Sequence, residues 1–415
     1  MSFLLAFGWI SLLGDFVYEG ARSVTGPLLA SLGASAAAVG AITGAGEAAA
    51  LLLRLASGPL ADRTRRFWTL AIGGYVLTVL AVPLLGFSSA LWVGAALVIA
   101  ERVGKAVRSP AKDTMLSHAA SSLGRGKGFA LQEAMDQIGA VAGPLSVALM
   151  LSLTGTNYGP SLLVLAVPGA GMIAILLWLR RRMPFPQDYE PLIAVSDIRT
   201  AARGTTAAGT GSDTLSGTRA RLPAAFWQYS IFTALTISGM ATFGVLAFHM
   251  TSRGIVPAPL VPLVYAAAMA VDAAAALASG WLYDRCGAAV LAVLPVVAAL
   301  LPGFAFANSL PFVVLGALLW GCATGLQEST LRALVADLVP PGRRATAYGI
   351  FAAVIGVAAL AGGTAAGVLY QVSIPALVLT TVIIQAAALA LLGTVLRRQS
   401  RAGKRSKGGE APAPQ

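Results

Sequence analysis

The sequence predicts an all-α polytopic membrane protein: twelve transmembrane helices in two pseudo-symmetric six-helix bundles. Three observations predict it. The 415 residues are 57% hydrophobic and 11% charged, too little charged surface for a chain folded in water. Apolar runs long enough to cross a hydrocarbon core of about 30 Å recur along the chain, separated by short polar or Gly/Pro turns. The two halves of the chain also echo each other in motif and spacing.

The apolar runs give spans at 5–30, 35–60, 67–86, 90–114, 126–152, 160–180, 224–250, 257–282, 287–307, 310–337, 344–370 and 372–396. The first has no Lys or Arg ahead of its apolar core and no small-residue cleavage pattern, so it is expected to stay as a helix. Spans one to six form a first bundle, residues 1–182. Residues 183–223, "MPFPQDYEPLIAVSDIRTAARGTTAAGTGSDTLSGTRARLP", are rich in Ala, Thr, Gly and Ser and read as a cytoplasmic linker with a short interfacial segment around Tyr189 to Val195. Spans seven to twelve form a second bundle, residues 224–396, and residues 397–415 form a basic cytoplasmic tail.

Charge supplies the orientation. Of a net charge of +12, the positive residues Arg63, Arg65, Arg66, Lys112, Arg125, Lys127, Arg180 to Arg182, Arg285, Arg343, Arg344 and the tail all follow even-numbered spans, with Arg253 the exception. That positive-inside asymmetry places both termini and the linker in the cytoplasm, in a bacterial cytoplasmic membrane. The tail lies near anionic lipid, and nucleic acid is not an expected partner. Membrane lipids and a small-molecule substrate are, and the chain is expected to act as a monomer. Cys286 and Cys322 make no disulfide framework, and with His118 and His249 they match no zinc pattern, so neither metal nor cofactor is expected.

The internal echo is specific. "GPLADRTRR" from Gly58 to Arg66 aligns with "GWLYDRCG" from Gly280 to Gly287, placing Gly58 on Gly280, Asp62 on Asp284 and Arg63 on Arg285. Arg108 and Asp113 of "VRSPAKDTM" share their spacing with Arg332 and Asp337 of "LRALVADLV", and "RGKGFA" is echoed by "RATAYG", with Phe129 opposite Tyr348. Duplicated six-helix units are what alternating access requires.

These residues resemble the major facilitator superfamily, whose loop between helices 2 and 3 has the pattern G-x-L-a-D-R-x-G-R-R. Gly58, Leu60, Asp62, Arg63 and Arg66 match it, whereas Arg65 replaces its second glycine and Phe67 a basic residue. The resemblance covers nearly all the chain apart from linker and tail. In the fifth span "GAVAGPLSVA" matches Gly139, Gly143 and Pro144 of the family's exporter pattern G-x-x-x-G-P-x-x-G-G without its final glycine pair, and so leans toward antiport. A cytoplasmic gate follows from the first motif: Asp62, Arg63, Arg66, Arg108 and Asp113, with Gly58 and the second-half Asp284, Arg285, Arg332 and Asp337, latch one half against the other or else only orient the loops. Pro110 is expected to end regular helix near this cluster, and Gly104 to permit close packing.

Charges also stand where the bilayer centre falls: Asp15 and Glu19 in span one, Glu47 in span two, Glu101 and Arg102 in span four, Glu133 and Asp136 in span five. Spacings of four and three put Asp15, Glu19 and Arg22 on one helical face, and Glu133 on one face with Asp136 or Gln137. Facing lipid they would cost several kcal/mol each, so these faces line protein or a water-filled cavity. Arg22 is a partner for Glu19 or Asp15, and Arg102 for an acid on a neighbouring helix. Arg54 lies two turns beyond Glu47, and Glu101 has Lys105 at i+4. Acids outnumber bases, and an acid without a counter-charge in an apolar cavity takes up a proton readily. Asp15, Glu19, Glu47, Glu133 and Asp136 are therefore the proton-coupling candidates, the alternative being a purely structural salt-bridge network.

In the second half Asp272, Gln327 and Glu328, together with Gln137, are candidates for the substrate cavity or its gating. His249 sits at the rim, and Trp227, Tyr229, Phe232, Phe243, Tyr265 and Trp320 either furnish an amphipathic pocket or simply pack. The expected function is proton-coupled export (efflux) of small amphipathic molecules. A metabolite importer, a lipid translocator and a non-transporting receptor are the alternatives. An enzyme is not expected, since no metalloprotease, Ser/His/Asp, Cys-based or nucleotide-binding motif is present.

Overall fold

Apolar sequence of this length must satisfy its backbone hydrogen bonds internally, and the chain does so almost wholly as helix. The fold is that of a computed structural model that describes residues 2–119, 125–185, 222–339 and 343–407, which leaves most of the linker and the last residues of the tail outside the described residues. The first half comprises α1 (Ser2–Ser31), α2 (Ala36–Leu52), α3 (Arg54–Thr64), α4 (Phe67–Gly86), α5 (Leu91–Ala119), α6 (Arg125–Leu153), α7 (Tyr158–Leu163) and α8 (Ala166–Arg182). The second comprises α9 (Ala224–Ser238), α10 (Phe243–Ser252), α11 (Val261–Cys286), α12 (Val293–Ala305), α13 (Leu310–Leu338), α14 (Arg344–Val372) and α15 (Ile374–Lys407), with short 3-10 turns before α11 and α12. Among the described residues there is no strand.

Three of the expected spans are each built from two helices, α2 with α3, α7 with α8 and α9 with α10, so the fifteen helices make twelve crossings. Nine stretches among the described residues are apolar and long enough to cross a membrane, and one of them, Ala258–Ala305, holds two crossings in its 48 residues. The two crossings not among the nine are α1 and α5. Their apolar runs are interrupted by Asp15, Glu19 and Arg22 in the one and by Glu101, Arg102, Lys105 and Arg108 in the other.

Pro110 does not end its helix, contrary to the sequence expectation: α5 continues to Ala119. A proline in mid-helix leaves the carbonyl one turn earlier without its N–H. Here that carbonyl belongs to Ala106, and the Ser57 hydroxyl of α3 donates to it at 2.8 Å, so the break is compensated from a neighbouring helix. The interruption between α9 and α10 is compensated in the same way, by Gln385 of α15, whose amide donates to the Thr236 carbonyl at 2.9 Å.

Helices meet through small residues, because in lipid close backbone contact replaces the hydrophobic drive to associate. A Cβ at Gly104 of α5 would lie 2.6 Å from the Gly74 carbonyl and 2.7 Å from the Thr78 hydroxyl of α4, which fulfils the close approach expected there. Between the halves, α2 and α14 are in contact at Gly40 against Gly363 and at Gly44 against Ala359, while Gly26 of α1 lies against Gly244 of α10. Thr43 and Thr242 add a hydroxyl pair at 2.8 Å across the same seam. These contacts draw the halves together at the end of the bundle remote from Arg63 and Arg66.

Within the first half, Gly139 and Gly143 of α6 rest on the backbone of Leu12 and Phe16 of α1. A Cβ on Gly143 would stand 2.9 Å from the Phe16 carbonyl carbon, and closer still to its oxygen. Gly143→Ala is therefore expected to cost about 1–3 kcal/mol and to lower the melting temperature in detergent. Gly73→Ala, where a Cβ meets nothing within 4 Å, should leave it unchanged or raise it. Equal melting temperatures for the two variants would contradict this account of the α1–α6 seam.

Candidate functional site: a charge network at mid-depth

The i,i+3 spacing of Glu19 and Arg22 brings them together on α1 at 3.6 Å, and from there a chain of charges crosses the first half. Arg22 meets Glu47 of α2 at 2.9 Å, Glu47 meets Arg102 of α5 at 3.3 Å, and Arg102 meets Glu101 at 3.3 Å. Gly46 leaves room for this: a Cβ there would lie 3.0 Å from the Arg102 side chain. At the other end of the chain the Tyr265 hydroxyl, on α11 of the second half, donates to Glu19.

An aromatic face gathers the cations. The Tyr18 ring has the Lys105 ammonium 3.7 Å from its centroid and the Arg102 guanidinium at 4.5 Å, while Arg22 lies 5.5 Å from the Trp320 ring of α13. Two turns along α5 from Lys105, Lys112 donates to the Ser11 hydroxyl at 3.1 Å and faces Asp136 of α6 at 3.9 Å, with Gln132 donating to Asp136 at 3.1 Å. Gln137 donates to Glu133 at 3.3 Å and to Asp272 of α11 at 3.5 Å. Asp15 stands in the electrostatic reach of Asp136, Lys105, Glu19 and Lys112. Among the described residues it makes neither an ion pair nor a hydrogen bond.

Several placements differ from the sequence reading. Glu47 takes Arg22 and Arg102 as its cations, while Arg54 reaches the Ser109 hydroxyl at 3.4 Å. Glu101 pairs with Arg102 and not with Lys105, because the Tyr18 ring holds the Lys105 ammonium. Lys112 belongs to the bundle and not to a loop, since α5 runs on past Pro110. In this conformation Arg108 is buried, donates to Thr78 at 2.9 Å and lies 4.4 Å from the Tyr75 ring, where α4 offers a hydroxyl and a π face beside the Gly74 contact.

Of the remaining gate residues, Asp62, Arg63, Arg66, Asp113, Asp284 and Arg285 are exposed, and among the described residues no ion pair joins them. Arg285 lies over its own helix's Trp281 ring at 3.8 Å, and Gly58 has open space around it. The side chains of Arg332 and Asp337 lie outside the described residues, as does the interfacial segment read at Tyr189 to Val195. Glu328 is exposed and Gln327 half-buried on α13. His249 is buried between the Tyr370 hydroxyl and the Ala307 carbonyl, each at 2.9 Å, a geometry suited to packing within the second half.

Sequence reasoning missed Tyr18, Lys105 and Lys112 as members of the network. Their signal was present: Glu101, Lys105, Arg108 and Lys112 are spaced by four, three and four, one stripe of a single helix.

A twelve-crossing bundle with charges confined to its middle is a general architecture, and comparison with known proteins places it. The sequence model of the Major Facilitator Superfamily matches residues 9–287 and 256–415. The chain belongs to the Major Facilitator Superfamily. It is 56% identical to uncharacterized proteins of Mycobacterium tuberculosis and Mycobacterium bovis over 390 residues, 94% of this chain and 92% of theirs. It is 25% identical to an uncharacterized MFS-type transporter of Methanocaldococcus jannaschii over 376 residues, 88% of each chain.

Among solved structures, a peptide transporter POT in complex with sulfate superposes with a TM-score of 0.73 at 14% identity, covering 97% of this chain and 95% of that one. A bacterial homolog of the human lysosomal transporter Spinster, inward-facing and occupied, gives 0.69 at 16% identity, over 95% and 96%. The nucleoside transporter NupG gives 0.65 at 16%, over 96% and 99%. These likenesses are of fold. Membership in the superfamily makes the chain a multi-pass membrane transporter and not an enzyme.

In this superfamily member the network is expected to hold the first half together. Glu47→Gln leaves Arg22 and Arg102 facing a neutral amide, and removing one partner of a buried pair costs about 3–5 kcal/mol. A marked fall in melting temperature is expected, while Glu133→Gln, at an exposed carboxylate, should change it little. A Glu47→Gln protein that melts with the native chain would overturn the structural role given to this carboxylate.

Proposed function

We propose that the protein is a proton-coupled exporter of small amphipathic molecules, working by alternating access in a bacterial cytoplasmic membrane with both termini cytoplasmic, and that Asp15 is the acid that exchanges the proton. One observation carries the reading. At mid-depth Glu19, Glu47, Glu101 and Asp136 each have a cation within 4 Å, whereas Asp15 has none among the described residues. Glu47 is clamped between two guanidinium groups, those of Arg22 and Arg102. Asp15 is free to alternate, within the field of two ammonium groups whose balance its charge alters.

The direction rests on α6. Gly139 and Gly143, which match the exporter pattern, lie against Leu12 and Phe16, the turn of α1 that carries Asp15. A change of charge at Asp15 therefore acts on the turn of α1 that slides along that seam. The glycine contacts close the end remote from the arginine-bearing turns, which supports reading this conformation as open toward the cytoplasm. Substrate would then meet Glu133, Gln137, Gln327 and Glu328, which are exposed or half-buried. A second reading, lipid translocation, is favoured by an apolar pocket of about 550 Å³ between α3, α9 and α14, lined by Leu55, Ile231, Leu235, Ile350 and Val354 among others.

Purified protein in liposomes with an internal pH indicator tests both readings. Lipophilic cations, neutral amphiphiles and organic anions are screened against the native chain, Asp15→Asn and Glu19→Gln, and fluorescent phospholipid is followed in parallel. Asp15→Asn is expected to abolish substrate-driven proton flux while substrate still binds. Undiminished flux in that variant would refute the assignment of the carrier, and phospholipid movement without proton flux would favour translocation.

A further inference from the structure

We infer that Asp272 is a second proton-binding site, one that fastens the two halves together when it carries its proton. The inference rests on the proton-coupled reading for its part in transport, though not for its chemistry. Asp272 lies on α11 with only 1% of its surface exposed, and across the seam it meets the Gln137 amide of α6. Gln137 Nε2 donates to Asp272 Oδ2 at 3.5 Å and to Glu133 Oε1 at 3.3 Å. The other two oxygens of this pair, Asp272 Oδ1 and Gln137 Oε1, are buried without a hydrogen-bond partner.

An ionised carboxylate has only acceptors, and so has an amide oxygen, so neither orphan can satisfy the other. One proton on Asp272 changes that. A carboxylic acid and a primary amide are complementary, the amide N–H donating to one carboxyl oxygen and the acid O–H donating to the amide oxygen. The proton thus supplies the one donor the pair lacks, and a buried polar atom left without a partner is costly.

The charged surroundings agree. Asp272 faces Glu328 and Cys322 from α13 and Glu19 and Arg22 from α1, with Glu133 beside Gln137 on α6. Arg22 is the cation of this group, and Glu19 and Glu47 already engage it at 3.6 and 2.9 Å. Losing the proton removes the O–H donor and places a negative charge near Glu19 and Glu328, which weakens the α6–α11 contact between the halves. Proton release from Asp272 therefore loosens the seam that protonation ties.

Infrared difference spectra between acid and alkaline pH, on the full-length protein in lipid nanodiscs, read the carboxylic acid C=O stretch directly. A band is expected that disappears in Asp272→Asn, shifts in Gln137→Leu and persists in Asp15→Asn. Spin labels on Ala56→Cys and the native Cys286, in a Cys322→Ser background, report the distance between halves. These labels lie toward the cytoplasmic end, which stands apart while the Asp272 contact is made, so the native chain should populate shorter distances as pH rises, and Asp272→Asn, whose amide can still donate to Gln137, should hold the long distance throughout. A band unchanged in Asp272→Asn overturns the inference, as does an Asp272→Asn distance that follows pH like the native chain. If Asp15→Asn leaves substrate-driven proton flux intact while the Asp272 band behaves as expected, the Asp15 carrier reading fails and the Asp272 site stands.

Discussion

The bilayer charges several kcal/mol for an ion that finds no partner, and the arrangement of the first half follows from that constraint. Glu19, Arg22, Glu47, Arg102 and Glu101 form one continuous chain through α1, α2 and α5, and each member is the solvation of the next. Such a chain fixes the rotation of three helices about their axes, since turning any one of them would point a charge at lipid. The Tyr18 ring completes it by offering a π face to Lys105, an ammonium with no carboxylate at ion-pair distance among the described residues. Asp15 stands out because this otherwise compensated layer leaves it aside.

Glycine and alanine set how closely the layer is held. Where Gly74 and Gly104 bring α4 against α5, Arg108 turns inward to Thr78 and Tyr75 and becomes an internal brace. One of the expected gate residues, Arg108, thus serves packing here, while Asp62 and Arg63 of the family motif are exposed. That outcome fits a latch made only in the opposite conformation, with the loops apart while the far end of the bundle is closed.

The sequence made the architecture legible because apolar length and turn chemistry are local properties. The spans beginning near Phe67 and Leu310 end within a residue of the helices found, α4 and α13. The breaks at Leu53, at 164–165 and at 239–242 were not legible; the last depends on a distant neighbour, since the Gln385 amide donates to the Thr236 carbonyl in place of the helix's own bond. Within the site the acids were legible as charges in apolar sequence, and Arg22 with Glu19 followed from helical spacing. Their partners across helices were not: nothing local distinguishes Glu47 as the shared carboxylate of two arginines, or Tyr265 as the donor to Glu19. The continuation of α5 past Pro110 was not legible either, because it depends on Ser57 of another helix replacing one missing N–H.

The distribution of bond types explains how so charged a protein can still move. Every ion pair among the described residues lies inside the first half. The contacts described across the halves are of another kind: hydrogen bonds from Tyr265 to Glu19 and from Gln137 to Asp272, the Thr43–Thr242 hydroxyl pair, Arg22 against the Trp320 ring, and glycine-lined backbone contact. Breaking a buried ion pair costs about 3–5 kcal/mol, whereas exchanging a hydrogen bond costs about 1 kcal/mol net. A rocking motion that had to rupture the Glu19–Glu101 chain at each cycle would face a barrier of several such pairs. Moving the first half as a rigid charged body against a second half held by weak, exchangeable bonds avoids that barrier.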